Sequence, residues 1–357
     1  MNREAYQKLQ SEFEEINKNI ENSASEYNIK LTNEEIEVEK VLDQNKQLLL
    51  NSSEINLTES IQDNMNRFGK TNLFKMIKEM PKGNLQHCHL PATLSIDGLI
   101  ESFAVDENTF YSKSKNKFLL KHYDEISEDA INLKELVLND YQEARKIFND
   151  IFIMRSDELS AKSLGCVFEH FESRFKIMNT VFNYKKVQEK FYDILYKFLI
   201  QDNVDAIEIR NVNGFLINDN FKNCTNEEEL EFLSQIKEKY RNRENPLQIV
   251  FIQTGVKQPT TTDKDVRFFF EIYKKSLYDN KQSEKILSAF DMVCFEGNIS
   301  LMNISKVLID LKEENPEVKY LFHAGEDHSK NLDNIVCSIL LGAKRIGHGV
   351  NLYKSNY

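Results

Sequence analysis

The chain has 357 residues, of which 41% are hydrophobic and 29% charged, and its 46 basic and 57 acidic side chains give a net charge of −11. This composition, with 24 Phe and 14 Tyr, excludes a wholly disordered chain and leaves room for one large domain or two ordinary ones. The acidic excess argues against nucleic acid as a partner, because phosphate backbones are bound by clustered Lys and Arg. No apolar run approaches the ~18 residues of a membrane span, so we predict no membrane partner.

The N-terminal part of the chain has a composition of its own. All five prolines and ten of the eleven glycines follow residue 80. One apolar stripe repeats there at helical spacing, formed by Tyr6, Leu9, Phe13, Ile16 and Ile20. Thr32-Asn33-Glu34-Glu35 has the form of a capping box and predicts a second helix that runs to Leu50. We therefore predict a helical extension over residues 1–75, either an arm that pairs two copies as a homodimer or a solvated helical hairpin.

The compartment is predicted from the N-terminus and the cysteines. The first residues lack an apolar segment typical of a secretory signal, so the sequence as written predicts a cytoplasmic protein. Five cysteines at wide spacing fit neither a disulfide framework nor a zinc knuckle, and we expect reduced thiols. Five Asn-x-Ser/Thr sequons keep a secreted protein open as the alternative.

From Asn84 onward, short apolar runs alternate with helical patterns. Six runs are predicted as strands: 84–90, 205–212, 247–253, 289–295, 318–323 and 345–349. Four clear helical patterns lie between them: 184–200, 227–240, 265–278 and 305–314. This alternation indicates an α/β fold with a parallel sheet, either doubly wound or a (βα)8 barrel. Neither nucleotide-binding glycine fingerprint occurs, so we favour the barrel.

The barrel is expected to fill residues 76–357 and to differ from a regular (βα)8 barrel in two ways. A long charged segment, about 101–160, is interpreted as an insertion after the first strand. Only six strands are found, so the barrel is predicted to be incomplete. At ~31 residues per unit of a ~250-residue barrel, two missing units correspond to ~60 residues or more.

Histidines follow the predicted strands at three places. His87-Cys88-His89 ends the first strand, where side chains i and i+2 point to the same face and both imidazoles can meet one ion. His323 and His348 end two later strands. The carboxyl ends of barrel strands form the active face, and three neutral imidazoles with an open position are typical of a catalytic zinc site. Nearby glycines such as Gly325 fit a backbone that passes close to a ligand.

Several motifs together resemble the adenosine deaminase family. Met80-Pro81-Lys82 through Leu90 is similar to its opening motif, and His323-Ala324-Gly325-Glu326 and Arg345-Ile346-Gly347-His348-Gly349 resemble its H-A-G-E and R-I-G-H-G motifs. Phe290-Asp291-Met292 resembles a further segment. The helical extension and the insertion resemble the adenosine deaminase-related growth factor subfamily, the ADA2 type, which keeps secretion open. The resemblance covers about residues 70–354.

The resemblance implies a reaction and a set of residue roles. It implies one Zn²⁺ per chain on His87, His89 and His323, and hydrolytic deamination of adenosine, and of 2′-deoxyadenosine as a further substrate, to inosine and ammonia. Glu326 would donate a proton to the purine N1, and His348 would orient and deprotonate the attacking water. Glu172 is implied in binding the nucleoside, and Gly325 is expected beside the substrate.

The sequence also departs from the family pattern. Relatives usually carry an acidic residue that binds the ribose just after the histidine pair, whereas Leu90 is followed here by Pro91. Cys294 stands where the family often has glycine, and the family's final S-x-D-D motif, whose first Asp is a zinc ligand, does not follow His348. The alternative to an active enzyme is therefore a truncated, inactive relative, which acts as a growth-factor-like protein that binds a nucleoside or a partner.

Overall fold

A computed structural model describes residues 31–52, 64, 67–159, 163–278, 285–326 and 333–354. The predicted apolar stripe over residues 6–20 lies outside these ranges. The chain divides into two compact units, Met1–Met80 and Pro81–Tyr357. Within the described ranges, no helix is both long and apolar enough to cross a membrane. The five cysteines are free thiols.

The first unit contains helices α1 (Asn33–Leu50) and α2 (Asn72–Glu79). The predicted capping box is present at the start of α1: the Thr32 hydroxyl accepts the Glu35 N–H at 3.2 Å, and the Glu35 carboxylate accepts the Thr32 N–H at 2.7 Å. These two bonds satisfy backbone groups that a helix start leaves unpaired. No residue of α1 is buried.

The second unit begins with a strand and a long insertion. Its first elements are β1 (Leu85–His89), α3 (Ile96–Phe103), β2 (Thr109–Ser112), β3 (Lys117–Leu120), β4 (Ala130–Asn132), α4 (Leu133–Asn139), α5 (Tyr141–Phe152) and α6 (Ser156–Leu159). β2, β3 and β4 form an antiparallel sheet in the order β3-β2-β4, which the sequence had not suggested. Phe118 of β3 packs edge-on against Phe103 at 5.1 Å between ring centroids, so the insertion has an aromatic core.

The remaining elements alternate between helix and strand. They are α7 (Leu164–Phe182), α8 (Lys185–Gln201), β5 (Ala206–Asn211), α9 (Asn226–Arg241), β6 (Gln248–Val256), α10 (Asp263–Tyr278), β7 (Leu287–Val293), α11 (Ser305–Glu314), β8 (Leu321–Ala324), α12 (Asp333–Leu340) and β9 (Arg345–His348). Short 3-10 turns cover Leu90–Ala92, Leu301–Ile304 and Val350–Lys354. The six predicted strands correspond to β1 and β5–β9, with ends shifted by a few residues.

These six strands lie side by side in chain order. β1, β5, β6 and β7 pair in parallel, and β8 pairs in parallel with β9. A backbone bond from the Phe290 N–H to the Lys319 carbonyl, at 2.9 Å, links β7 to the chain entering β8. Parallel neighbours joined through helices are the repeating unit of a (βα)8 barrel.

The sheet curls strongly. β1 and β9 stand at opposite ends of the strand order, yet the rings of His87 and His348 lie only 4.5 Å apart. A Cβ on Gly347 would lie 2.7 Å from Cε1 of His87, so only glycine permits this approach. The curvature brings the carboxyl ends of the first and last strands together and places their side chains in one site.

Candidate metal centre and active site

The end of β1 supplies the first two imidazoles. His87 and His89 are separated by one residue on the strand, so both side chains point to the same face. His89 is in register with Arg210 of the neighbouring strand β5. Burial, together with the nearby His323, lowers the pKa of His87 to about 2 and that of His89 to about 3. Both rings are therefore neutral at pH 7, the form that binds a metal.

The end of β8 supplies the third imidazole, on His323, which is buried. Its Nδ1–H donates to Oδ2 of Asp291 at 2.7 Å, and its backbone N–H donates to Oδ1 at 3.0 Å. Asp291 is fully buried on β7 and accepts a further bond from Nε of Arg210 at 2.9 Å. Burial opposes the ionisation of Asp291, but His323 and Arg210 outweigh it and hold its pKa well below the usual range. The carboxylate fixes the ring and leaves Nε2 of His323 as the lone-pair atom.

The ring of His323 faces both of the other predicted ligands. Nε2 of His323 lies 2.9 Å from Nε2 of His87 and 3.0 Å from Nε2 of His89. Nitrogens bound to one tetrahedral zinc at about 2.0–2.1 Å are roughly 3.3 Å apart, close to this spacing. Nε2 of His323 has one lone pair, so it cannot accept hydrogen bonds from Nε2 of His87 and of His89 at once. A cation shared by these nitrogens would satisfy their lone pairs. The donor set therefore fits a metal ion.

His348 and Glu326 lie beside this cluster. The ring of His348 is 5.0 Å from that of His323, and its Nε2 is 3.6 Å from Oε1 of Glu326. Among the described residues, the side chains placed to hold a metal ion together are His87, His323 and His348, whose ligand nitrogens all lie within 4.8 Å of one another, so this group contains His348 and not the predicted ligand His89. Burial lowers the pKa of His348 to about 4, so its ring is neutral and able to accept a proton at pH 7. A proton acceptor and a carboxyl group thus flank the three predicted ligands.

Glu296, which sequence reasoning missed, holds the loop that carries Glu326. Its Oε1 accepts the Glu326 N–H at 2.5 Å, and its Oε2 accepts the Gly325 N–H at 3.0 Å and an Asn334 side-chain N–H at 2.8 Å. Gly325 has a φ of +69°, and a Cβ there would lie 2.7 Å from Ile335. The predicted substrate residue Gly325 therefore has its N–H occupied by Glu296, and its backbone shapes the turn that places Glu326.

A cavity of about 360 Å³ opens beside the histidines. His89, His323 and Glu326 line one end of it. Aromatic side chains from α7 and from the residues after β7 line the other end: Phe168, Phe171, Phe175 and Phe295. Phe168 stacks on Phe295 with ring centroids 4.5 Å apart. The cavity therefore joins a polar catalytic end to an apolar, aromatic end.

Glu172 and Cys294 lie in the wall between these two ends. Glu172 lines the cavity, as the resemblance implied, and its Oε1 accepts the Phe295 N–H at 2.7 Å. It thus also ties α7 to the chain after β7. Cys294 also lines the cavity and has a φ of +87°, a strained conformation for a residue with a side chain. Burial, together with the neighbouring Glu172 carboxylate, raises the pKa of its thiol to about 12, so Cys294 stays protonated.

Curated proteins similar to this chain are adenosine deaminases. The chain is 24% identical over 317 residues to the adenosine deaminase of Phlebotomus duboscqi, which covers 81% of this chain and 57% of that protein. It is 24% identical over 306 residues to adenosine deaminase 2 of Dictyostelium discoideum, covering 80% and 54% of the two chains. The chain therefore spans a little more than half the length of these relatives. No family model matches it.

A solved structure supports the fold. The crystal structure of an amidohydrolase from Burkholderia ambifaria with bound Zn matches with a TM-score of 0.50 and 11% identity, covering 79% of this chain and 62% of that one. The α/β barrel-type fold predicted from the sequence is confirmed, and so is the resemblance to adenosine deaminases, including those of the ADA2 type.

Proposed function

We propose that this chain is a zinc-dependent hydrolase that deaminates adenosine, and also 2′-deoxyadenosine, to inosine and ammonia. The observation that carries the proposal is the position of the His323 Nε2 atom, 2.9 Å from Nε2 of His87 and 3.0 Å from Nε2 of His89, beside an aromatic cavity. The similarity to adenosine deaminases supports the reaction class.

His87, His89 and His323 would hold the ion, one zinc per chain. When bound, a zinc ion activates water as a nucleophile at neutral pH. The protein's contribution is to keep His87 and His89 neutral and to hold the imidazoles in the correct orientation. Asp291 does this for His323, because its carboxylate accepts the Nδ1–H and leaves Nε2 directed at the other two rings.

Glu326 and His348 would carry the proton transfers. His348 accepts a proton from the attacking water, whose oxygen bonds to C6 of the purine. Glu326, in its protonated form, donates to N1 and so neutralises the charge that develops on the ring. The C6–N bond then breaks as the amino group takes the proton held by His348 and leaves as ammonia. The new C6 hydroxyl returns its proton to Glu326 as it becomes the carbonyl group of inosine. The separation of 3.6 Å between Nε2 of His348 and Oε1 of Glu326 supports this proposal, because two groups so close can both reach one bound purine ring.

The aromatic end of the cavity would bind the purine nucleoside. Phe168 and Phe295 stack on each other at 4.5 Å, and such an aromatic wall supports the binding of a flat purine ring. Apolar walls also exclude water from the reacting centre, which strengthens the electrostatic interactions of Glu326 and His348.

The test is conversion of adenosine by the purified chain, with zinc per chain measured on the same sample. We expect inosine and ammonia in equal amounts, and a loss of about 10²–10⁴-fold in kcat for Glu326→Gln at unchanged zinc content. Glu313→Gln, an exposed glutamate on α11, is the matched control. Unchanged turnover in Glu326→Gln would contradict the proton-donor role. Nucleoside binding without turnover in the wild-type chain would select the non-catalytic role instead.

A further inference from the structure

A chain of three buried amides runs from β6 to the cavity. Gln253 is fully buried, and its Nε2 faces two backbone carbonyls, those of Asn213 at 3.3 Å and Thr254 at 3.4 Å. The side-chain Nδ2 of Asn213 donates to Oε1 of Gln253 at 2.8 Å. Nδ2 of Asn211 then donates to Oδ1 of Asn213, also at 2.8 Å. The three side chains form one continuous line of hydrogen bonds.

The direction of this line is fixed by its inner end. A backbone carbonyl only accepts, so the group of Gln253 that faces two carbonyls is its NH₂ group. Oε1 of Gln253 therefore faces Asn213, which must turn its own NH₂ group towards it. In the same way, the NH₂ group of Asn211 donates to Oδ1 of Asn213. The orientation of the outermost amide is thus set by contacts two residues away, and Oδ1 of Asn211 is the atom left over.

This leftover oxygen belongs to a residue that lines the cavity. Asn211 is 8% exposed, and among the residues that the structure describes its Oδ1 has no hydrogen-bond partner. The contact with Asn213 uses one hydrogen of the Asn211 NH₂ group and fixes the amide, so Oδ1 is the acceptor that this side chain offers to a donor on a ligand in the cavity.

The strand geometry indicates which part of a nucleoside this donor is. Arg210 turns towards Asp291 and so towards the histidine centre, and successive side chains of a strand point to opposite faces. Asn211 therefore points away from the metal side, where the reacting amino group must lie. The other donors of adenosine are the three hydroxyl groups of its sugar.

We propose that Asn211 is the sugar-recognition residue of this site, accepting a hydrogen bond from one hydroxyl of the nucleoside through Oδ1. This rests on the proposed function. It also supplies a hydroxyl partner in a chain that has Pro91 at the position where relatives usually carry an acidic residue. Proline has no side-chain acceptor for a hydroxyl group.

The experiment compares adenosine with 2′-, 3′- and 5′-deoxyadenosine in four proteins: the wild type, Asn211→Leu, Asn211→Asp and Asn220→Leu. Leucine keeps the branched shape but removes the acceptor, aspartate keeps an acceptor, and Asn220 is an exposed control outside the cavity lining. Both kcat/KM and the affinity of each nucleoside by calorimetry on the metal-free protein are measured, and thermal unfolding checks that each variant is folded.

We expect one deoxynucleoside to be about 10- to 100-fold poorer than adenosine in the wild type, in Asn220→Leu and in Asn211→Asp. In Asn211→Leu this ratio should fall to near one, because the site no longer distinguishes the hydroxyl group. Equal ratios in wild type and Asn211→Leu, with turnover or binding intact, would overturn the role of Asn211 alone. A wild-type protein that neither binds nor converts any of the four nucleosides would overturn the proposed function and the sugar site with it.

Discussion

The two ends of the cavity are built in different ways. At the histidine end, every group is placed by a strand terminus and held by buried polar contacts, as His323 is held by Asp291 and Arg210. At the aromatic end, the wall comes mainly from helix α7 with Phe295 after β7, and Phe171 of α7 is 44% exposed. Substitutions at the first end should therefore cost stability and metal together, whereas those at the second should cost nucleoside affinity alone.

The largest effect is expected for Asp291→Ala. The change leaves Arg210 charged and buried without its partner, so we expect a loss of about 3–5 kcal/mol in the free energy of unfolding. It also releases His323, which should weaken zinc binding by about 10–100-fold. Urea unfolding and competition with a zinc chelator measure the two effects, with the exposed Asp219→Ala as control. If a folded Asp291→Ala protein bound zinc as tightly as the wild type, zinc binding at the histidine end would not depend on the buried contacts of Asp291.

The next largest effect is a pH dependence of the free energy of unfolding, caused by Glu229 near the cavity. Glu229 is buried on α9 and accepts the Gly214 N–H at 2.8 Å, beside the cavity residue Phe215. Burial raises its pKa from 4.5 to about 7. The folded protein therefore binds a proton that the unfolded chain has released between these values, so stability is greatest below pH 4.5 and is lost as pH rises through 7.

This prediction is tested by urea unfolding at pH 5 and pH 8. We expect wild type to lose about 2–3 kcal/mol between them through this group, and Glu229→Gln to lose that dependence, since glutamine does not titrate. Glu231→Gln, an exposed neighbour on the same helix, should behave like wild type. The same slope in Glu229→Gln and wild type would contradict the assignment.

A smaller effect is expected for Phe171→Ala. Its ring meets that of Phe175 edge-on at 5.2 Å, and removing it takes away part of the aromatic wall. We expect about a 10-fold weaker affinity for adenosine, or about 1.4 kcal/mol, with zinc content unchanged. Phe198→Ala, an exposed phenylalanine on α8 that does not line the cavity, is the control. Loss of zinc in Phe171→Ala would show that the two ends are coupled.

The smallest effect on chemistry is expected for removal of residues 1–60. Helix α1 buries none of its residues and exposes Val38, Val41 and Leu48, which suits a helix that pairs with a second copy. We expect the deletion to convert a dimer to a monomer in analytical ultracentrifugation and to leave kcat and zinc content unchanged. An unchanged sedimenting mass would remove the dimer proposal and leave the solvated hairpin.

The comparison also explains which features were predictable from the sequence. The strands of the curled sheet were predicted because short apolar runs alternate with helical patterns, and those local patterns need no knowledge of distant residues. The capping box at Thr32 was predicted for the same reason. By contrast, β2, β3 and β4 contain only three or four residues each, too few to show an alternating pattern among the lysines around them.

The parts of the site that were missed depend on long-range register. Glu296 contacts Gly325 and Glu326 across about thirty residues of sequence, and no local motif marks it. The line from Gln253 to Asn211 exists only because β5 and β6 pair with these two residues side by side. Short motifs identified the chemistry, whereas the residues that orient it required the fold.

The central claim is that three imidazoles bind a zinc ion that the deaminase reaction requires. The most direct test is to strip the purified chain with a chelator, add zinc in steps, and follow inosine formation from adenosine at each step. The account predicts no inosine from the stripped protein and a rate that rises to a plateau at one zinc per chain. Inosine formed at full rate without zinc, or no inosine with one zinc bound, would contradict it.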